Sequence, residues 1–137
     1  MKKKKKGNLS NLLMLVLLLI LFYYFFTEIR STEVSAAELA RIYSTDLQTA
    51  DEKFLNQEIE LVGKVKAYFE FENDNDLLEI ISENSVVSVF CILIDNEQIN
   101  KAKNLTQGTE IEIKGKCLGL AENIFPNSVY INVNSIK

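Results

Sequence analysis

The chain has no histidine, only two cysteines and one proline among its 137 residues. Without histidine it lacks the commonest general base and the commonest nitrogen ligand for metals. Two cysteines alone cannot complete a zinc site, which draws on four ligands. There is no GxSxG turn and no glycine loop of the kind that cradles phosphate. Carboxylates are plentiful, but they fall on turns or at outward positions of alternating segments, where solvated charge is the ordinary outcome. The sequence therefore reads as non-catalytic, with no cofactor and no resident metal. Glycine is also scarce, five in all, and one of these interrupts a regular alternation at 59–65, "IELVGKV".

What is present divides sharply. Lys2 to Lys6 form a basic run, and an unbroken apolar stretch extends from Leu12 to Phe26. Fifteen helical residues rise only ~22 Å, but residues 9–27 give about 28 Å against a hydrocarbon core of ~30 Å. Tyr23 and Tyr24 stand near the far end, where amphipathic rings favour the interface. The expected organisation is a basic cytoplasmic tail (1–8), a transmembrane signal-anchor helix (9–27), a polar stem (28–34) and an outer domain (35–137). Five lysines before the helix keep the N-terminus cytoplasmic, which puts the domain outside the cell membrane. The competing reading is a cleaved, secreted form, with Val34-Ser35-Ala36 offering small residues for processing. That site lies ten residues past Phe26, and the bulky YYFF end suits an anchor better.

Five of the fifteen basic residues are Lys2 to Lys6, and all nineteen acidic residues follow Phe26. The rest of the chain thus carries ten positive against nineteen negative charges, a net −9. Such a domain repels polyanions overall, so nucleic acid is an unfavoured partner.

The outer domain begins with a helical lead-in (35–56). Ser35-Ala36-Ala37-Glu38 has the form of a capping box, with Val34 and Leu39 placed as a staple. Leu39, Ile42, Tyr43 and Leu47 recur at helical spacing. Thr49-Ala50-Asp51-Glu52 repeats the box and predicts a second short helix carrying Phe54 and Leu55. From Gln57 the period becomes two, and Ile59, Leu61, Gly63, Val65, Ala67 and Phe69 share one face of a long strand. Asn73 to Asp76 form a hairpin turn, Leu77–Ser82 a second strand and Val86–Ile94 a third. Asp95 or Asn96 caps a helix ended by Gly108, Thr109–Leu120 alternate again, and Val129–Ile136 close the set after a loop at Asn123–Asn127.

Five short strands with a helix between the third and fourth give a mainly β fold with short helices, a five-stranded Greek-key OB-fold barrel. Closure requires long strands to bend, and glycine tolerates the bend and the narrow interior. Gly63, and Gly115 in the fourth strand, are the expected structural positions. An SH3-like barrel is the alternative, but it lacks the inter-strand helix.

The segments "SAAELARIYSTDLQTADEKFLNQ", "IELVGKV" and "GTEIEIKGKCLGL" resemble the tRNA-anti-like family of bacterial OB-fold domains, over about residues 35–136. The family's name reflects a fold similar to anticodon-binding domains. The resemblance implies frequent attachment to a signal sequence or membrane anchor, and no catalytic residue. Members often carry a further cysteine near the end of the last strand; here that region reads "INVNSIK", so that pairing is absent.

Three groups are candidate sites. Cys91 and Cys117 are a possible disulfide in an oxidising compartment, against two small buried thiols. Glu70, Glu72, Asp74 and Asp76 around the first hairpin could converge on calcium, but the stretch lacks the glycine and distal glutamate of an EF-hand loop. Lys64, Lys66, Lys114 and Lys116, with Tyr68, form a possible nucleic-acid platform on adjacent strands. Glu60, Glu110 and Glu112 share that face. An antiparallel register setting Glu60 opposite Lys116, Lys64 opposite Glu112 and Lys66 opposite Glu110 would make these ordinary cross-strand pairs. Asn104-Leu105-Thr106 matches a glycosylation acceptor and reads as loop. The sequence thus implies a tethered binding module for a protein or small ligand, with an oligonucleotide or oligosaccharide binder as the alternative.

Overall fold

Leucine-rich sequence with no polar side favours helix, and Asn8–Thr27 form α1. The computed structural model describes residues 8–27, 31–72, 74–122 and 125–137, with side chains of α1 described from 10 to 25. The expected basic tail at 1–7, stem residues 28–30, and Asn73, Asn123 and Ile124 of the two predicted turns lie outside the described residues. From Leu12 to Phe25 the large side chains of α1 are 46–81 % exposed, so its own unit supplies no core. Those sixteen described positions rise about 24 Å, and among the described residues no helix is long and apolar enough to cross a membrane. The chain divides into two compact units, Met1–Arg30 and Ser31–Lys137.

The second unit opens with β1 (Thr32–Ser35), where a polar stem is expected from sequence. Its alternation is too short to register as a strand on its own; β1 exists because it pairs in parallel with Ile59–Val62. Helix α2 (Ala36–Thr45) follows, and Ser35 caps it by accepting from the Glu38 amide at 3.1 Å. Glu38 does not reach back to complete the box; it grips the Arg41 guanidinium through two hydrogen bonds of 2.8 Å. Helix α3 (Leu47–Phe54) is capped by Asp46, not by Thr49, because a carboxylate one turn earlier accepts from both the Thr49 amide and its hydroxyl. Leu47 consequently starts α3 and is exposed instead of extending the α2 stripe, while Phe54 is fully buried.

Strands β2 (Glu58–Phe69), β3 (Asp76–Ile80), β4 (Ser88–Leu93), β5 (Glu110–Ala121) and β6 (Ser128–Ile136), with α4 (Asn96–Lys103) between β4 and β5, make the barrel. The order is β2-β3-β4-β6-β5, closed by β2–β5, with β1 added to β2. This is the expected OB topology. Ile59, Leu61, Leu78, Ile80, Val89, Cys91, Ile113, Cys117, Val129 and Ile131 fill one interior, and Leu39, Tyr43 and Phe54 of the lead-in helices join it. Gln98 of α4 donates structure from another side, accepting the Ile136 amide at 2.8 Å.

The register slip in β2 is not at the glycine. Gly63 sits in unbroken register opposite Ile111, whereas the pairing with β3 slips between Val65 and Ala67. Lys66 is the extra residue of a bulge. Past a bulge the alternation inverts. Tyr68 therefore turns inward against the main core, and Phe69 turns outward, against the single face expected for Ile59 to Phe69. Gly63 is needed for close approach. A Cβ there would overlap Ile80 Cγ2 and stand 3.2 Å from Ala36 Cβ. Gly115 does lie at a register shift, between β5 and β6, with its backbone pressed against that of Asn132.

Candidate functional site

The lysine–tyrosine platform expected on β2 and β5 is broken up by pairing. In place of the expected register, Glu60 lies opposite Lys114 and Lys64 opposite Glu110. A two-residue slip keeps every side chain on its face, so alternation alone cannot distinguish the two registers. Lys64 reaches Glu110 at 3.9 Å and Lys114 reaches Glu60 at 2.5 Å. Lys66 leaves β5 entirely and binds the largely buried Glu79 of β3 at 2.7 Å. Hydrogen bonding to Lys114 holds the Glu60 carboxyl below its ordinary range, and Glu60 in turn raises the Lys114 ammonium. Lys116 stays exposed opposite Glu58, whose carboxylate accepts from Asn134 instead. Tyr68 leaves the platform altogether, since the bulge turns it inward. Three of four lysines are thus committed to carboxylates, leaving little charge to track a phosphate backbone.

Two carboxylates of the acidic hairpin, Asp76 and Glu70, are engaged by other side chains. Asp76 is 8 % exposed and accepts from the Tyr68 hydroxyl and from the Phe71 amide. Glu70 is held by Lys103 at 2.7 Å, and the same ammonium lies 5.9 Å from the Tyr68 ring centroid. Burial, then the bond to Asp76, pushes the Tyr68 hydroxyl above its usual range. Among the described residues no three histidine, cysteine or acidic side chains converge to hold a metal. Asn104-Leu105-Thr106 falls in the turn after α4, where the Asn104 amide group donates to the Asn100 carbonyl.

Cys91 and Cys117 are free and buried, and the bridge between them is not formed. Both stand opposite Ile131, one from each side of β6. Two strand spacings amount to ~10 Å, beyond the ~7 Å Cα separation a disulfide tolerates. The OB topology expected from the sequence already implied this, because its fifth strand lies between the third and the fourth. Burial pushes the Cys91 thiol up. Cys117 is also raised by burial, against hydrogen bonds from Gly119 and Tyr43; its sulfur lies 3.7 Å from the Tyr43 hydroxyl.

The feature sequence reasoning missed is aromatic. On the outer face of β3, β4 and β6, Leu77, Phe90 and Tyr130 are nearly inaccessible because Phe69, Phe71, Ile92 and Phe125 pack over them. Phe125 stacks on Phe90 with centroids 4.6 Å apart and planes 8° from parallel. The Tyr130 hydroxyl fixes this residue by accepting from its amide at 3.0 Å and donating to its carbonyl at 3.3 Å. The signal was available: "VFCIL" is apolar at both parities, which a strand with one wet face does not need. In OB folds, the face of the second and third barrel strands with the two flanking loops is the ligand surface. Here those strands are β3 and β4. Beside α2 lie two hollows of mixed polarity, of about 290 and 380 Å³, that share Ser35, Ala37 and Glu83. Arg41 and Glu38 line them as a bonded pair, as do Lys64 and Glu110.

The family model described as tRNA_anti-like matches residues 2–129. Among curated proteins none matches the sequence. Solved structures with a similar fold include a chain assigned as an aspartyl-tRNA synthetase from Leishmania major Friedlin, with TM-score 0.54 and 10 % identity over 80 % of this chain and 21 % of that one. Asparaginyl-tRNA synthetase from Entamoeba histolytica gives TM-score 0.51 and 14 % identity, over 78 % and 23 %. The Pyrococcus horikoshii asparaginyl-tRNA synthetase gives 0.50 and 15 %, over 80 % and 23 %. The chain spans less than a quarter of each of these synthetases, and at such identities the likeness is one of fold.

Proposed function

Because this chain belongs to the tRNA_anti-like family, a family of OB-fold domains, we propose that it is a membrane-anchored binding module with no catalysis of its own. The OB scaffold suits it to nucleic-acid or oligomer binding in general. The partner proposed here is narrower, a protein or small ligand contacted through the aromatic outer face of β3, β4 and β6. One observation carries this reading: three of the four lysines of the β2–β5 face are held in ion pairs, while Phe69, Phe71 and Phe125 remain half-buried on the OB ligand face. The net −9 beyond Phe26 acts in the same direction.

Anchoring rests on the sequence: residues 9–27 would rise about 28 Å as a helix, close to a hydrocarbon core of ~30 Å, with an unbroken apolar run from Leu12 to Phe26. With Lys2 to Lys6 on the cytoplasmic side, the barrel lies outside the inner membrane of a bacterial cell.

Three measurements test the proposal. A labelled single-stranded oligonucleotide at low salt should show no saturable binding; tight binding that weakens steeply with salt would overturn the choice of partner. The full chain should fractionate with membranes, resist high-salt extraction and dissolve in detergent. In membrane extracts, a Phe71→Ala/Phe125→Ala variant should lose the partner that the wild type retains while still unfolding cooperatively, at a lower temperature because both rings cover Leu77, Phe90 and Tyr130. An undiminished partner would move the site off this face.

A further inference from the structure

We infer that residues 32–36 are structural parts of the barrel, so that a chain processed at Val34-Ser35-Ala36 loses its fold. Ile59–Val62 of β2 pair with β1 on one side and with β5 on the other. Removing β1 turns a doubly paired stretch into an open edge, leaving its N–H and C=O groups without protein partners. Val34 and Ala36 are 7 % and 1 % exposed and belong to the main core. Ser35 ends β1 and caps α2 with the same side chain that accepts from the Glu38 amide. Cleavage after Ala36 would delete the strand, the cap and both core residues together.

The small residues at this site have a packing reason. Ala36 lies where a Cβ on Gly63 would come within 3.2 Å, so a larger residue at 36 would be driven into β2. The pattern that suggests processing is thus the pattern that lets α2 leave β1 directly over the glycine. Small side chains at Val34 and Ala36 answer to the barrel.

The inference shares α1 with the anchoring proposal, and the experiment separates them. The full chain is expressed in a bacterium, fractionated, and each species weighed by intact mass spectrometry. The expected species is full length, about 15.6 kDa. A species beginning at Ala37 that melts cooperatively would overturn the inference. Full-length, cooperatively folded protein in the soluble fraction would support it while overturning the anchoring proposal. In parallel, full-length Val34→Asp in detergent should melt about 10 °C lower or more, since it buries an unpaired charge in the core. An unchanged melting temperature would show that residues 32–36 are dispensable and would also overturn the inference.

Discussion

Gly63→Val is expected to lower the melting temperature of the full chain by about 15 °C or more, from a loss of at least ~3 kcal/mol by overpacking. The first added carbon already overlaps Ile80 Cγ2 and crowds Ala36 Cβ. Neither neighbour can withdraw easily. Ile80 is 1 % exposed in the interior, and Ala36 is fixed between β1 and α2. Valine adds two further methyls to a site with no room for one. Gly108→Ala is the informative control. Gly108 has φ +85° but nothing within 4 Å of its Cβ position. It should lose only ~1 kcal/mol, from backbone strain without collision. Thermal circular dichroism of both variants decides the matter. Equal losses would mean that backbone conformation, not the contact with Ile80 and Ala36, is what requires glycine at 63.

Raising the pH from 8 to 11 should remove about 4 kcal/mol of stability from Cys91 and Tyr43 together, at about 1.4 kcal/mol per pH unit for each group held neutral by the fold. Cys91 is fully buried and its thiol is pushed up from an ordinary value of 9.0 by burial. Tyr43, 4 % exposed, is pushed up from 10.0 by burial and by the neighbouring Cys117. Below pH 9 both states keep these protons and nothing changes. Above it the unfolded chain releases them and the folded chain does not, so rising pH drives unfolding. Ion pairs holding Lys103 and Lys114 protonated act in the same direction near their own titration. Urea unfolding across this range reads the slope. Cys91→Val/Tyr43→Phe should flatten it, and a variant with an unchanged alkaline limb would remove these two groups from the account. On the acid side the signs reverse. Glu38, Asp46 and Glu60 titrate below their ordinary values, so their contribution is present above pH ~4 and fades as pH falls further.

The candidate platform shows where alternation stops informing. Lys64, Lys66, Lys114 and Lys116 do alternate out of the barrel core, and the sheet places β2 beside β5 as the OB topology requires. The bulge at Lys66 then redirected one lysine to Glu79 and drew Tyr68 inward. A bulge adds one residue without altering composition or period enough to be seen beforehand. The aromatic face went unread for a related reason. Phe69 and Phe71 flank one turn, Phe90 lies in β4, and Phe125 and Tyr130 come over thirty residues later. Only pairing of β4 with β6 brings Phe90 to Tyr130 and lets Phe125 stack on both strands.

By itself the sequence determined the order of the barrel elements, the face of each strand up to the bulge and the cap at Ser35, because each follows from contacts within a few residues. It also determined the apolar segment and the acidic balance beyond it. Tertiary structure alone decided the β2–β5 register, the recruitment of residues 32–35 into β1 and the rings gathered on the outer face. Those depend on segments distant in the chain. A two-residue slip, a bulge or a strand inserted between two others leaves the local pattern of side chains almost unchanged while altering which groups meet.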